Sequence, residues 1–235
     1  MHCPNCDAPM TPLELASHTG QPITIDVCFA CQVFWFDDRE SLHLAPASTL
    51  TLFRTIGEAP PAERRPVNPS AACPRCGLRL VPAQDMQRTT KFQYRRCPKR
   101  HGRLTTFFDF LREKNFVRPL PPADIEALRR QLGAVNCSNC GASIDLARTS
   151  SCGHCGSPLS VLDANQAEKL VAELQKADRS GQPVDPALPM RLATARRDVE
   201  SSFAEFERQS ALDQGPRAGD LVMSGLRLFS RWLGR

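Results

Sequence analysis

The cysteines are the residues of this chain whose spacing can do chemistry. Cys3 and Cys6, Cys28 and Cys31, Cys73 and Cys76, Cys137 and Cys140, and Cys152 and Cys155 form five C-x2-C pairs. Two intervening residues let both thiolates and the local backbone amides curl round a single ion. Zinc takes four nitrogen or sulfur ligands in a tetrahedron, with sulfur at about 2.3 Å. A second pair returned by a hairpin completes such a set. The first group is then Cys3, Cys6, Cys28 and Cys31, and the third is Cys137, Cys140, Cys152 and Cys155. The middle group has only Cys73, Cys76 and Cys97, and Cys97-Pro-Lys-Arg-His101 supplies a histidine whose longer reach substitutes for a thiolate. Eleven cysteines and one histidine make twelve donors, which is three complete sets of four and predicts three zinc ions per chain.

The competing use of C-x2-C is thiol redox chemistry, but that motif stands alone beside a βαβ pattern, and these pairs are themselves paired. For His101 the alternative is a surface histidine beside Gly102, leaving a three-cysteine site. His154 reads as a spacer within Cys152-Gly-His-Cys155. His2, His18 and His43 read as solvated or packing residues. Gly77, Gly141 and Gly156 follow second cysteines, where a knuckle needs a residue tolerant of positive φ.

The elements that must position these donors are short. Pro22 to Val27 alternates in the β manner, Val33-Phe34-Trp35-Phe36 follows the second pair, and Asp37 or Asp38 caps a short helix holding Glu40 and Leu42. Cys3-Pro-x-Cys6, Ile25-Asp26-x-Cys28-x-x-Cys31, Trp35-Phe36-Asp37 and Glu40 together resemble the transcription-factor-IIB-type zinc ribbon of small bacterial proteins. The resemblance covers about 45 residues. It implies a zinc-binding hairpin with Cys3, Cys6, Cys28 and Cys31 as ligands, and says nothing of a role in transcription. Gln32-Val33 stands where that family usually carries a glycine pair. The third group resembles the small double-knuckle ribbons of prokaryotic proteins, which implies metal binding only.

These readings predict a small α+β protein of three separate zinc ribbons followed by a helical C-terminal region. Ribbon 1 is 1–45, a Pro-rich linker 46–72, a basic ribbon 2 with a short helix 73–134, ribbon 3 135–162, and the helical region 163–235. In ribbon 2, Thr89 to Arg96 and Thr105 to Phe110 read as strands, and Asp124 to Leu132 as the short helix. Residues 163–178 and 190–212 have helical spacing, and residues 220–233 read as a last helix, apolar over most of its girth.

Charge is uneven. Residues 1–45 carry net −5 and residues 73–122 net +9. Arg88, Lys91, Arg95, Arg96, Lys99, Arg100 and Arg103 crowd the second ribbon and suit a polyanion such as nucleic acid, over residues 73–118; the alternative is a plain solvated face. Phe92 and Tyr94 are candidates to stack on bases or, alternatively, to form the small core behind the sheet. Phe229 and Trp232 with Arg227, Arg231 and Arg235 suit docking onto protein, with peripheral membrane contact by residues 220–235 as the weaker reading.

No apolar run is long enough to span a bilayer and no secretory signal is visible, so a cytoplasmic protein with reduced thiols is expected. There is no Gly-rich phosphate loop, nucleophile elbow or H-E-x-x-H. With every metal fully ligated, the expected role is a non-enzymatic adaptor that binds another protein through its ribbons and C-terminal helices. The alternative is a nucleic-acid-binding ribbon protein associated with transcription or translation.

Overall fold

The computed structural model describes residues 1–38, 40–59, 66–87, 90–163, 165–166, 169, 172 and 220–233. The chain divides into two units, Met1–Asn115 and Phe116–Arg235. Each has its own small core built around metal-ligand cysteines.

The first unit corrects the expectation of separate ribbons. Strands β1 (Thr11–Ala16), β2 (Pro22–Cys28) and β3 (Val33–Phe36) of ribbon 1 join β4 (Val81–Gln87), β5 (Thr90–Arg96) and β6 (Arg103–Thr106) of ribbon 2 in one antiparallel six-stranded sheet. Its order is β1-β2-β3-β6-β5-β4, and the seam pairs Trp35 with Leu104 and Phe36 with Arg103. This seam explains why Val33-Phe34-Trp35-Phe36 is unbroken apolar sequence: the strand is central and both its faces are covered. Val33 and Trp35 pack with Leu104, Met10, Leu80 and the cysteines of both ribbons. On the other face, Phe34 lies 4.6 Å from Phe107 and Phe36 stacks on Phe110 at 5.9 Å between centroids. The two halves repeat at an offset of seventy residues, with Cys3, Cys6 and Cys31 matched by Cys73, Cys76 and His101.

Helices cover the phenylalanine face. Residues 46–58, expected to be linker with a short strand or turn of helix over Leu50 to Ile56, form the longer helix α2 (Pro46–Glu58), following the one-turn α1 (Glu40–His43). Pro46 misled the reading, because proline suits the first helical position, where its missing N–H costs nothing. Leu52, Phe53 and Ile56 recur on one side and are fully buried, and Ser48 ties the helix to β1 by donating to the Ala16 carbonyl at 2.7 Å. The expected strand over 105–110 is likewise corrected. The chain leaves β6 at Thr106, whose hydroxyl accepts the Asp109 N–H at 3.0 Å, and continues as α3 (Phe107–Glu113). That cap outweighs the strand preference of the phenylalanines because Phe107 and Phe110, three apart, then both reach the β3 aromatics.

In the second unit, β7 (Val117–Pro119) pairs with β10 (Ser160–Leu162), and β8 (Ala134–Asn136) with β9 (Ser143–Asp145). The short helix assigned to ribbon 2 is α4 (Pro122–Gln131), and it belongs here. Leu128 joins Leu120, Val135, Ile144, Leu146 and the four cysteines of ribbon 3 in one cluster. The last helix, α5 (Leu221–Leu233), starts where Asp220 accepts the Val222 and Met223 N–H groups, both at 3.2 Å. Ser138, inside the Cys137–Cys140 knuckle, donates to the same carboxylate at 2.6 Å. Leu221, Val222, Met223 and Leu226 are buried, and Gly225 lies against Leu162 of β10. The first half of this helix therefore docks on ribbon 3. The expected helix over 190–212 lies outside the described residues, as does most of the one over 163–178, of which Asn165, Gln166, Lys169 and Ala172 are helical.

Gly102 sets the fit of ribbon 2 against ribbon 1. Its φ is +148°, and a Cβ there would lie 2.4 Å from the Phe36 carbonyl oxygen and 2.8 Å from the Trp35 indole. Gly102→Ala should cost about 2–3 kcal/mol in denaturant unfolding of the zinc-loaded protein. Gly20→Ala, at φ +82° with nothing within 4 Å, should cost about 1 kcal/mol.

Candidate metal centres

Four knuckles of one design hold four of the five cysteine pairs. In each, the first cysteine's N–H bonds to the carbonyl five residues on: Cys3 to Ala8, Cys73 to Leu78, Cys137 to Ala142 and Cys152 to Ser157, all at 2.8 Å. The residue after the second cysteine returns its N–H to the first cysteine's carbonyl, which requires positive φ. Gly77, Gly141 and Gly156 provide it at 70°, 77° and 72°, and Asp7 at 60°. Aspartate tolerates this region better than most residues because its short side chain bonds locally. Gln32, at the position of the missing glycine pair, also takes positive φ, at 55°. The turn therefore forms without a glycine.

The structure brings the predicted donors together as three sets: Cys3, Cys6, Cys28 and Cys31; Cys73, Cys76, Cys97 and His101; and Cys137, Cys140, Cys152 and Cys155. Within each set the donor atoms lie within 4.8 Å of one another. Sulfur pairs stand 3.7 Å apart for Cys6 and Cys28, and 3.6 Å for Cys76 and Cys97, Cys137 and Cys155, and Cys140 and Cys152. A tetrahedron with metal–sulfur bonds of ~2.3 Å has edges of ~3.8 Å, whereas a disulfide bond is ~2.05 Å. All eleven cysteines are free. His101 turns Nδ1 inward, 3.8 Å from the Cys73 sulfur and 3.7 Å from that of Cys97. The geometry and the donor chemistry fit zinc, and the three clusters can hold one ion each. Cys6 is exposed, the other ligands of its set are buried, and Cys76, His101 and Cys155 are half-buried.

Outer hydrogen bonds support the thiolates. The Asn5 and Asn139 N–H groups point at the Cys3 and Cys137 sulfurs, both at 3.4 Å. The Asn5 side chain donates to Cys31 at 3.3 Å and accepts the Asn68 N–H at 2.6 Å, tying the first cluster to the irregular segment that leads into ribbon 2. Arg75 occupies the equivalent knuckle position in ribbon 2 and grips Asp37, which also receives the Trp35 indole N–H at 2.9 Å. In three of the four knuckles the second inner residue, Asn5, Arg75 or Asn139, thus reaches beyond its own turn to fix its surroundings, Asn139 by donating to the Ser157 hydroxyl at 3.1 Å. Their shared position between paired cysteines is the signal in the sequence that marks them. In each four-cysteine set one thiol is held low by a neighbouring thiol, Cys28 at about 5 beside Cys3 and Cys155 at about 4 beside Cys137. That favours an anionic foothold for a cation at neutral pH.

The other histidines stay out of the clusters. His18 packs edge-on against His43 at 5.5 Å, and His2 bonds the Asp7 carbonyl. The basic residues separate into two groups. Lys91, Arg96, Lys99 and Arg100 are exposed and Arg95 is half-buried, while Arg88 lies outside the described residues. Arg103 is corrected from a polyanion contact to a packing residue. Its guanidinium lies over the Tyr94 ring at 4.8 Å and the Phe36 ring at 5.5 Å, and it is bound by Glu113 at 2.5 Å and by Ser41. Phe92 is buried against the sheet, which answers the base-stacking reading in favour of a core role. Among the described residues no helix is long and apolar enough to cross a membrane. Comparison with protein-family models, curated proteins and solved structures found no match to this chain.

Purified protein should contain three zinc ions per chain by elemental analysis. His101→Ala should reduce the tightly held content to two, while His101→Cys should keep three. Strong chelation should unfold the protein cooperatively, since the clusters are embedded in its cores. Glu40 gives a pH test. Burial pushes its carboxyl up to about 7, opposed by the Asp37 N–H that it accepts at 2.7 Å. The folded state therefore holds a proton that the unfolded chain releases near pH ~4.3, and the stability this provides is lost as pH rises through about 7. Glu40→Gln should stabilise by on the order of 1 kcal/mol at about pH 8 and by much less at about pH 4, below the unfolded value, after allowance for partial exposure.

Proposed function

We propose that this is a zinc-binding adaptor, a non-enzymatic protein whose ions shape surfaces for another macromolecule. The observation that carries this reading is the closure of each metal cluster by four protein donors. Such a set leaves no coordination position for substrate or water, so the ions act by folding the chain. The zinc face of ribbon 1 carries the features of the transcription-factor-IIB-type ribbon, and that assignment belongs to this proposal. So does a cytoplasmic location, which would keep eleven thiols reduced. The partner surface includes α5, whose first half is committed to ribbon 3 and whose later turns carry Phe229 and Trp232.

A second reading, nucleic-acid binding, is favoured by a specific observation. Lys91, Arg95, Arg96, Lys99 and Arg100 make no ion pair among the described residues, in a ribbon with few carboxylates.

The adaptor reading is tested by purifying tagged full-length protein from its own host. A stoichiometric protein partner should survive a high-salt wash and be released by Phe229→Ala with Trp232→Ala. Recovery of the zinc-loaded chain alone would overturn it.

A further inference from the structure

We infer that the β4–β5 hairpin is a binding arm for duplex DNA, inserted through the face that carries Lys91, Gln93 and Arg95. This rests on the nucleic-acid reading above and narrows it to one surface and one form of nucleic acid.

Strand register defines the surface. Lys91, Gln93 and Arg95 alternate with Phe92 and Tyr94, so they lie on the opposite face of β5. Directly across on β4 stand Met86, Gln84 and Pro82. The outward face is therefore two cations, two amides, a methionine and a proline, with no carboxylate. Asp85 pairs with Phe92 and belongs to the other face. Met86 and Gln84 are exposed, as is every residue of β4 except the half-buried Ala83. Lys99 and Arg100 extend the positive charge past the end of β5 into the turn between Cys97 and His101, while Arg96, the last residue of β5, lies on the Phe92 and Tyr94 face.

Three features select the duplex. First, β5 meets β6 only at Arg95 and Arg96, so most of the hairpin is a two-stranded ribbon at the sheet edge. A two-stranded ribbon fits the major groove of B-form DNA, about 12 Å wide, and the narrow major groove of A-form RNA does not admit it. Second, single-strand recognition relies on exposed aromatic platforms, and this arm has none to offer. Phe92 is buried, and Arg103 covers the Tyr94 ring. Third, amides and cations without carboxylates suit groove edges and phosphates together. The matching position in ribbon 1 shows the contrast: Glu14 stands where Gln84 stands in ribbon 2, in a segment of net −5. One half of the sheet attracts phosphate and the other repels it, which fixes which arm engages.

The test is fluorescence anisotropy of full-length, zinc-loaded protein with a labelled DNA duplex of about 20 base pairs, the matching single strand and an RNA duplex, across a salt titration. DNA duplex should bind most tightly. Lys91→Ala with Arg95→Ala should weaken it about tenfold or more and lower the salt slope by about two, with zinc content unchanged. Arg118→Ala, an exposed cation of the second unit, should leave binding unchanged. Preference for the single strand or for RNA, or indifference to the double variant, would overturn the arm while leaving the nucleic-acid reading standing. Absence of binding to all three at low salt would overturn both.

Discussion

A tetrahedral thiolate cage tolerates little slack. Four donors must sit within a few ångströms of one point, whatever the chain between them prefers. Here that requirement joins residues as distant as Cys3 and Cys31, or Cys73 and His101. Structural zinc contributes roughly 10–16 kcal/mol in small peptides, comparable with the whole stability of a domain at about 5–15 kcal/mol. The knuckles, strands and small apolar clusters of this protein are arranged around that term. The metal sites are not appended to a core; their cysteines are core residues, packed against Met10, Leu80 and Trp35 in one unit and against Leu128, Val135 and Ile144 in the other.

The first unit shows how two short modules share what neither has alone. A single ribbon here offers three strands and few aromatics, too little to cover both faces of β3. Joined along β3 and β6, the two provide a sheet whose centre is buried on both sides. The ties across the seam come from within the knuckles and beside them. Asn5 reaches Asn68, Arg75 reaches Asp37, and Gly102 lets the ribbon 2 backbone close on Trp35. Because Trp35 and Leu104 lie in the same cluster as the ligands of both sites, loss of either ion disturbs the surroundings of the other.

Much of the metal chemistry was legible in the residues, because ligand type and spacing are local properties. Cysteine pairs two residues apart and His101 after Cys97 declare a donor set without reference to the rest of the chain. Gly77, Gly141 and Gly156 mark turns for the same reason. What escaped was long-range. The pairing of β3 with β6 spans seventy residues, and no periodicity announces a partner strand. It was available indirectly, in the recurrence of Cys-Pro-x-Cys at residues 3 and 73 with matched hydrophobics at Met10 and Leu80. Helix α2 was obscured by Pro46, read as a loop marker where it begins a helix. Helix α3 was obscured by phenylalanines that favour strands, until the Thr106 cap and the β3 aromatics decide the matter. Arg103 shows a limit of charge counting: a guanidinium in a basic run is as able to fill a slot between two rings as to face solvent.

The register at the seam has the symmetry of a two-fold contact. Val33 to Phe36 and Arg103 to Thr106 are equivalent strands of the repeat, and they pair antiparallel about their common midpoint. That is the isologous contact made by two identical subunits related by a two-fold axis. A symmetric dimer of one-ribbon chains would be bound to carry the same surface twice, since any substitution appears in both copies. Fusion of the copies into one polypeptide removes that constraint. Within one polypeptide the halves are free to differ, with His101 standing where the other half has Cys31 and acidic residues concentrated in ribbon 1, while the two-fold contact holds the middle of the sheet.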